Sequence, residues 1–327
     1  MRRVVFSGLA AVSLVVGCLG PRAPAADAAD AAFVDVAVAT LWARPGANRA
    51  LDEPSVTNPV HVRSWLARMG TGERLWLVGR LETQALYGQR VTVLARSGAW
   101  AKVAVAGQPT PRNSLGYPGW LPAAQLTFDS PARSGTHAVI TRRTAWLHET
   151  GPARRRDLEL GFNTRLPVLS DDDADWVTVA TPTGEPRLVP RASVHLYRAG
   201  ESVPRPTGAE LAATARMFVG APYLWAGTSA FAFDCSGFTH TVFKSRGVVI
   251  PRDAQAQANR GRPVVRRGLK RGDLLFYARR GRIHHVALYV GGGMMIEAWR
   301  TGTRVRIVPV RTRGYWGARR YVTAAAG

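Results

Sequence analysis

Between residues 33 and 197 one pattern of short apolar runs occurs twice. In each copy a β-branched run is followed by a turn, a second run that begins with tryptophan, and a short third run that ends at proline. The copies occupy residues 91–94, 100–105 and 119–122, and then residues 166–169, 176–179 and 188–190. Short alternating runs between Gly and Pro predict strands, and strands of this length close into small barrels. The sequence therefore predicts two successive β-barrels.

The first barrel carries an insertion with helical spacing. Asn58 followed by Pro59 has the pattern of an N-cap with proline at the first helical position. Apolar side chains then recur three and four residues apart up to Gly70. These residues are Val62, Trp65, Leu66 and Met69. We expect a helix from residue 59 that packs on the barrel.

The N-terminus has the pattern of an export signal. Arg2 and Arg3 precede an uncharged apolar run at residues 4–19, which is short for a membrane span. The run ends in Val-Val-Gly-Cys, which resembles a lipobox and predicts lipidation of Cys18; cleavage near residues 23–25 is the alternative. Residues 20–32 are mostly Ala, Pro and Asp and predict a flexible tether. The expected product is an exported protein that meets the membrane only through a lipid anchor.

The C-terminal third contains a cysteine in a reactive setting. After a proline-rich linker, residues 208–219 have helical composition, and residues 233–238 read Phe-Asp-Cys-Ser-Gly-Phe. Cys235 then opens a helix that Gly247 closes. The helix dipole and free backbone N–H groups at such a position favour a thiolate. We therefore predict that Cys235 is a nucleophile.

A second motif supplies a histidine and a carboxylate. It consists of strand-like runs at residues 271–277, 284–290 and 294–298, with three glycines before the last run. If the glycines form a three-residue loop, Val290 faces Met294, and His285 and Glu297 share one face of the hairpin. A thiol, an imidazole and a group that orients the imidazole are the parts of a cysteine hydrolase. His284 points to the opposite face, so the two histidines cannot chelate one metal ion, and no metal or cofactor is predicted.

These motifs resemble those of the NlpC-type family of papain-like cell-wall peptidases. The resemblance implies an α+β chain, with two SH3-like barrels (residues 33–130 and 131–203) before a papain-like domain (residues 204–327) whose cysteine helix packs on an antiparallel sheet. It implies that Cys235 is the nucleophile and His285 the general base and then acid. Glu297 takes the third position, where the family usually has His, Asn or Gln; the alternative is a surface Glu297 paired with Arg300. Tyr223 and the Cys235 N–H would line the oxyanion site.

The first barrel extends the resemblance. Residues 81–88 and 116–120 are similar to the first SH3-like domain of γ-D-glutamyl-L-diamino acid endopeptidases. That subgroup cuts murein peptides with a free N-terminal L-Ala after γ-D-Glu. The resemblance implies that Glu82 and Tyr117 approach the free amine, that Asp234 and Ser236 line the cleft, and that Arg252 faces a substrate carboxylate. At residue 254, where the subgroup tends to have a hydroxyl group, this chain has Ala.

Charge indicates which further partners to expect. The formal net charge is +22, and residues 251–327 carry 16 arginines and one lysine against three acidic residues. With export and without a recognition motif, this predicts anionic envelope polymers or lipid headgroups as further partners, and no nucleic acid. A monomer is expected. The rival functions are hydrolysis of intact cross-linked wall, wall binding without catalysis, and acyl transfer with lipid substrates.

Overall fold

The computed structural model describes residues 30–129, 134–201 and 203–322. The predicted signal peptide and the predicted lipidation of Cys18 lie outside these residues. The chain has the predicted α+β class, with two sheet domains followed by a mixed domain. Within the described ranges, each helix is too short or too polar to cross a bilayer.

The first barrel is a seven-stranded antiparallel sheet. Its strands are β1 (Ala31–Val34), β2 (Val38–Trp42), β3 (Leu81–Leu86), β4 (Arg90–Ser97), β5 (Trp100–Val105), β6 (Tyr117–Pro122) and β7 (Leu126–Thr127). They lie in the order β3-β2-β6-β5-β4-β1-β7. Ala31 and Ala32 pair with Thr92 and Val91, and Ala32 is fully buried. The predicted tether is therefore wrong at its last two residues, because β1 already begins there.

The insertion between β2 and β3 differs from the prediction at its start. It contains a 3-10 helix (Ala50–Ser55) and two helices, α1 (Val62–Arg68) and α2 (Thr71–Trp76). Asn58 is not an N-cap: its side chain donates to the Ala124 carbonyl, and His61 is the residue before α1. The predicted apolar face is correct, since Trp65 is fully buried and its indole N–H donates to the buried carboxylate of Asp52.

The second barrel repeats the first strand for strand. Its strands are β8 (Thr136–Ile140), β9 (Thr144–His148), β10 (Arg156–Gly161), β11 (Arg165–Ser170), β12 (Trp176–Ala180), β13 (Pro186–Pro190) and β14 (Val194–Arg198). The order β10-β9-β13-β12-β11-β8-β14 is that of the first barrel shifted by seven strands. Short 3-10 helices follow the Pro-ended strands of both barrels, at Ala123–Gln125 and Arg191–Ser193. The internal repeat read from the sequence is thus confirmed.

The third domain combines helices with a six-stranded antiparallel sheet. It contains α3 (Gly208–Arg216), α4 (Cys235–Lys244), α5 (Ala254–Ala258), a 3-10 helix (Arg266–Gly268), and the strands β15 (Thr228–Ser229), β16 (Ala232–Phe233), β17 (Arg262–Val264), β18 (Leu274–Arg279), β19 (Arg282–Gly291), β20 (Met294–Glu297), β21 (Arg306–Pro309) and β22 (Tyr315–Arg320). The sheet order is β17-β22-β18-β19-β20-β21. Both α4 and α5 pack on β19. This brings the start of α4 against the strand that carries His285.

The hairpin between β19 and β20 is tighter than predicted. Gly291 pairs with Met294 after a bulge, so Val290 does not face Met294 and only Gly292 and Gly293 form the turn. Both have positive φ, +61° and +71°, as a two-residue hairpin turn that matches the strand twist requires. The bulge compensates for the shorter turn, so that Leu288 still lies opposite Ile296. Glu297 therefore keeps its predicted face.

The first barrel and the third domain share one apolar core. Leu224, Phe231 and Ala232 of the third domain belong to the same buried cluster as the barrel residues Leu41 and Trp65. Polar contacts close the same seam: the Trp225 indole N–H donates to the Leu81 carbonyl at 3.0 Å. The edge strand β3 therefore packs against β15, which in turn contacts α4.

Candidate active site

Cys235 is the first residue of α4, and its thiol is almost buried. Asp234 caps the helix by accepting the Gly237 N–H at 2.6 Å, and Cys235 is 8% exposed. The thiol sulfur accepts backbone N–H groups of Val286 and Ser236. Burial and the neighbouring Asp234 carboxylate nevertheless raise the pKa of the Cys235 thiol to about 12, against the lowering by these N–H groups and Arg252. The expected resting thiolate is therefore not favoured, and the thiol needs a base.

His285 lies on β19, next to the residue whose N–H reaches the thiol. Its Nε2 is 2.8 Å from Oε2 of Glu297. Its Nδ1 is buried and has no hydrogen-bond partner among the described residues. Burial lowers the pKa of His285 below its ordinary 6.5, although the bond to Glu297 acts in the other direction. At neutral pH the imidazole is neutral and Nδ1 can accept a proton.

Glu297 is an interior carboxylate with two arginine partners. It is fully buried at the end of β20, and besides His285 it forms ion pairs with Arg306 and Arg311 at 3.0 and 2.7 Å. Burial raises its pKa, but the bonds from His285 and Arg311 outweigh this and lower the pKa to about 2. The alternative of a surface residue paired with Arg300 is wrong, because the Arg300 guanidinium stacks on Trp299 at 4.8 Å instead.

Tyr223 is buried near the thiol. Tyr223 forms a β-bridge with Phe233, and Phe233 lies two residues before Cys235. Burial, and then the nearby Cys235, raise the pKa of its phenol well above 10, so it stays a proton donor. Within the described ranges its hydroxyl makes no hydrogen bond. A donor held here and the Cys235 backbone N–H are two groups able to bind an oxyanion.

Arg252 does not present a free guanidinium to the cleft. It is 1% exposed, and its nitrogens donate to Asp234 (2.7 and 3.2 Å), Ser236 (3.0 Å) and Thr83 (3.0 Å). Every nitrogen of the guanidinium already has an acceptor within the protein, and the contact of Arg252 with a substrate carboxylate stays a prediction. Asp234 and Ser236 are nearly buried in the same network. Arg252 instead ties the cap of α4 to strand β3.

A separate polar cluster surrounds Glu82 and Tyr117 on the first barrel. Arg112 forms an ion pair with Glu82 and donates to the Tyr117 hydroxyl at 3.2 Å. Tyr117 in turn donates to Asp253 at 3.0 Å. The cluster adjoins the ion pair of Arg252 and Asp234, whose charges act on Asp253, so these groups together have three carboxylates and two guanidinium groups. The structure brings the two predicted residues together, but with Arg112 already on Glu82.

Four residues near the site were not predicted from the sequence: Arg112, Asp253, Arg306 and Arg311. Asp253 carried a signal, because it follows Arg252 directly. The arginines carried none, since 41 arginines in the chain make any one of them uninformative.

The chain is similar to known proteins both in its third domain and in its barrels. Residues 220–324 match the NlpC/P60 family model, and residues 140–197 match the YKFC SH3b2 domain model. Gamma-D-glutamyl-L-lysine dipeptidyl-peptidase of Bacillus cereus is 45% identical over 303 residues, which is 89% of this chain and 91% of the relative. The peptidoglycan endopeptidase RipB of Mycobacterium tuberculosis is 34% identical, over 66% of this chain and 91% of the relative. A crystal structure of an NlpC/P60 family protein from Bacillus cereus superposes with a TM-score of 0.85 at 44% identity, over 90% of this chain and all of the other.

Proposed function

The chain belongs to the NlpC/P60 family of cysteine peptidases, and on that premise we propose that it hydrolyses the bond between γ-D-Glu and the diamino acid of murein peptides. The observation that carries the proposal is the buried set of Cys235, His285 and Glu297 beside a wall of the first barrel. The similarity to gamma-D-glutamyl-L-lysine dipeptidyl-peptidase runs through both barrels and supports the same bond as the target.

The chemistry begins with proton transfer. The neutral Cys235 thiol gives its proton to Nδ1 of His285, and the thiolate attacks the γ-carbonyl carbon of D-Glu. Glu297 accepts the Nε2–H and stabilises the imidazolium formed in this step. The oxyanion receives hydrogen bonds from the Cys235 N–H and the Tyr223 hydroxyl.

The second half regenerates the enzyme. His285 returns its proton to the amine of the departing diamino acid, which leaves D-Glu as a thioester on Cys235. Water then loses a proton to His285, attacks the thioester carbon, and releases the acid as the thiol is restored. No other reactant is needed.

Recognition of a free N-terminal amine rests on the charge of the Glu82 cluster. Glu82, Asp253 and the adjoining Asp234 carry three negative charges against two on Arg112 and Arg252. A substrate ammonium supplies the missing positive charge, whereas an acetylated amine does not. Strand β3, which holds Glu82, lies against the catalytic domain, and we infer that it limits access so that small free peptides fit better than cross-linked wall.

We place this activity outside the cytoplasm, as expected for a hydrolase of wall-derived peptides with an export-type N-terminus. Lipidation of Cys18 and attraction of the basic catalytic domain to anionic envelope polymers remain parts of the same proposal. Mass spectrometry of the full chain after membrane extraction, compared with a Cys18→Ser variant, tests the anchor.

The activity is tested with purified L-Ala-γ-D-Glu-L-Lys and its N-acetylated form. We expect release of L-Ala-D-Glu from the free tripeptide, loss of turnover in Cys235→Ala, and a large fall in kcat/KM on acetylation. Equal cleavage by Cys235→Ala would end the proposal. Equal rates on the two peptides would be consistent with the peptidase activity but would refute the role of Glu82 in amine recognition. A preference for intact cross-linked wall would favour the rival hydrolase.

A further inference from the structure

A carboxylate in the third position creates an electrostatic difficulty. An unpaired carboxylate in the interior is costly, and beside His285 it would hold a proton on the imidazole at rest. A base that is already protonated cannot take the thiol proton. A fully buried Glu297 therefore needs positive charge from elsewhere.

Two arginines supply this charge in a fixed geometry. Arg311 is bidentate, with Nη1 2.8 Å from Oε1 and Nη2 2.7 Å from Oε2 of Glu297. Arg306 lies opposite Glu297 in the β20–β21 pairing and reaches Oε1 with Nε at 3.2 Å and Nη2 at 3.0 Å. Oε2 is left for His285 and one Arg311 nitrogen, so the carboxylate cannot turn.

An aromatic side chain holds both guanidinium groups. They lie over the Trp299 ring, at 4.3 Å for Arg306 and 5.1 Å for Arg311. Arg311 also lies 4.8 Å from the Tyr277 ring, which in turn is 5.7 Å from the His285 ring. Stacking of this kind restricts a guanidinium and adds to its binding.

We propose that Arg306 and Arg311 are positioning residues that make a carboxylate usable in the third position, by fixing its oxygens and cancelling its charge. This rests on the proposed role of His285 as base. The titratable and charged groups around that ring are Glu297, Arg311, His284, Tyr277 and Cys235. Arg311 lowers the pKa of His285, so its removal raises that pKa.

The test compares Arg311→Gln with Arg313→Gln, an exposed arginine two residues away. We expect the acidic limb of kcat/KM to move to higher pH and kcat to fall about tenfold in the first variant, with the control unchanged. In a Glu297→Gln background, Arg311→Gln should move both clearly less, because only the direct repulsion between Arg311 and His285 is then removed. An acidic limb that does not move, or one that moves equally in both backgrounds, overturns the proposal.

A second readout separates this proposal from the proposed function. NMR titration of the His285 ring reports the pKa of this side chain whether or not the protein cleaves the tripeptide. Circular dichroism checks that each variant is folded. A higher pKa in Arg311→Gln than in wild type supports positioning even if the tripeptide is not the substrate. If Arg311→Gln does not fold, Arg311→Lys replaces it, because lysine keeps the charge but loses the bidentate hydrogen bonds. The pKa of His285 should then stay close to that of wild type, while kcat falls.

A cavity lies where the two barrels meet the catalytic domain, away from Cys235 and His285. It has a volume of about 620 Å³ and contains Arg90 of the first barrel, His137 and Arg165 of the second, and Lys244 at the end of α4. No aspartate or glutamate among the described residues lines it. None of the four basic side chains forms an ion pair with a described residue.

Lys244 distinguishes this cavity from the generally basic surface. Unpaired exposed arginines are expected in a chain of net charge +22, but Lys244 is half-buried and its ammonium lies beside Gly107 of the first barrel. Burial, and then the charge of Arg165, lower the pKa of Lys244 to about 8. An anion in the cavity would relieve this repulsion.

We infer that the cavity binds a small ligand bearing a phosphate group. Two arginines and a lysine provide more positive charge than a single carboxylate balances, and they suit a dianion. Burial and the charge of Arg165 lower the pKa of His137, so its ring is neutral and serves as a hydrogen-bonding group. Tyr197, with Arg165 5.5 Å from its ring, and Tyr87 give the rest of such a ligand an aromatic wall. This site does not depend on the proposed peptidase activity.

The test follows the melting temperature of the full chain with inorganic phosphate, against chloride at matched ionic strength. We expect a saturable rise with phosphate in wild type and in Arg155→Gln, an exposed control in the second barrel, but not in Lys244→Met. Without phosphate, Lys244→Met should melt no lower than wild type, because an unpaired cation has been removed. Equal stabilisation by chloride, or equal loss in the two variants, means an adventitious ion only. Lys244-dependent binding to phosphatidylglycerol vesicles without any response to phosphate also overturns the small-ligand assignment.

Discussion

Replacing Arg252 by methionine should destabilise the catalytic domain more than any surface substitution. Methionine fills much of the same volume but leaves the nearly buried Asp234 carboxylate without its ion-pair partner at 2.7 Å. It also removes donors to Ser236 and Thr83. Breaking a buried pair from one side costs about 3–5 kcal/mol, because the remaining charge stays desolvated. Loss of charge balance at Asp234 also weakens the cap of the helix that carries Cys235.

The measurement is the free energy of unfolding from urea titration, followed by fluorescence of Trp225 and its neighbours. Arg260→Met serves as the matched control, since that arginine is exposed and has no described ion pair. Asp234→Asn keeps a capping oxygen and removes the charge, so the double variant with Arg252→Met should recover part of the loss. A loss below about 1 kcal/mol for Arg252→Met, or a double variant as unstable as the sum of the two, would refute the reasoning.

Three further outcomes are expected. Arg112→Gln frees Glu82 from its ion pair and should lower KM for the free tripeptide without lowering kcat, as steady-state kinetics would show; a higher KM would mean that Arg112 itself binds substrate. Because catalysis needs neutral His285 and burial lowers its pKa, kcat/KM should hold on acidification past pH 6.5 and fall only below it, which a pH profile at constant ionic strength measures; a fall centred above 6.5 contradicts this. Gly292→Val at φ +61° should cost about 1–2 kcal/mol of stability by thermal melting, whereas Gly317→Val at an unstrained position should cost less.

Short-range patterns predicted much of the fold. Strands β5 and β12 begin at Trp100 and Trp176 as read from the sequence, because alternation and turn residues act over a few positions. The face shared by His285 and Glu297 followed from strand register alone. Asn58 misled because capping and a tertiary bond to Ala124 compete for the same side chain, and a local pattern cannot rank them.

The chemistry of the site depends on tertiary contacts that local sequence patterns do not predict. Helix position alone predicted a thiolate at Cys235, but burial and the neighbouring Asp234 outweigh the backbone N–H groups. Arg306 and Arg311 come 9 and 14 residues after Glu297, and only the turn between β20 and β21 and the path after β21 bring them to its oxygens. The acceptors of Arg252 were not predicted for the same reason, since they come from β3 and from the cap of α4 together.

The seam at Gln84 sets a limit on how this protein can be divided. The Gln84 side-chain oxygen accepts the Thr228 N–H at 3.1 Å and the Ser229 hydroxyl at 3.0 Å, and its carbonyl accepts the Thr228 hydroxyl. A C-terminal fragment that begins in the linker before α3 would lack the acceptors for these donors. It would also expose the apolar side chains of Leu224 and Phe231 to water. Recombinant fragments of this protein that begin there are expected to aggregate, and a chimaera made from it has to carry the first barrel along with the catalytic domain.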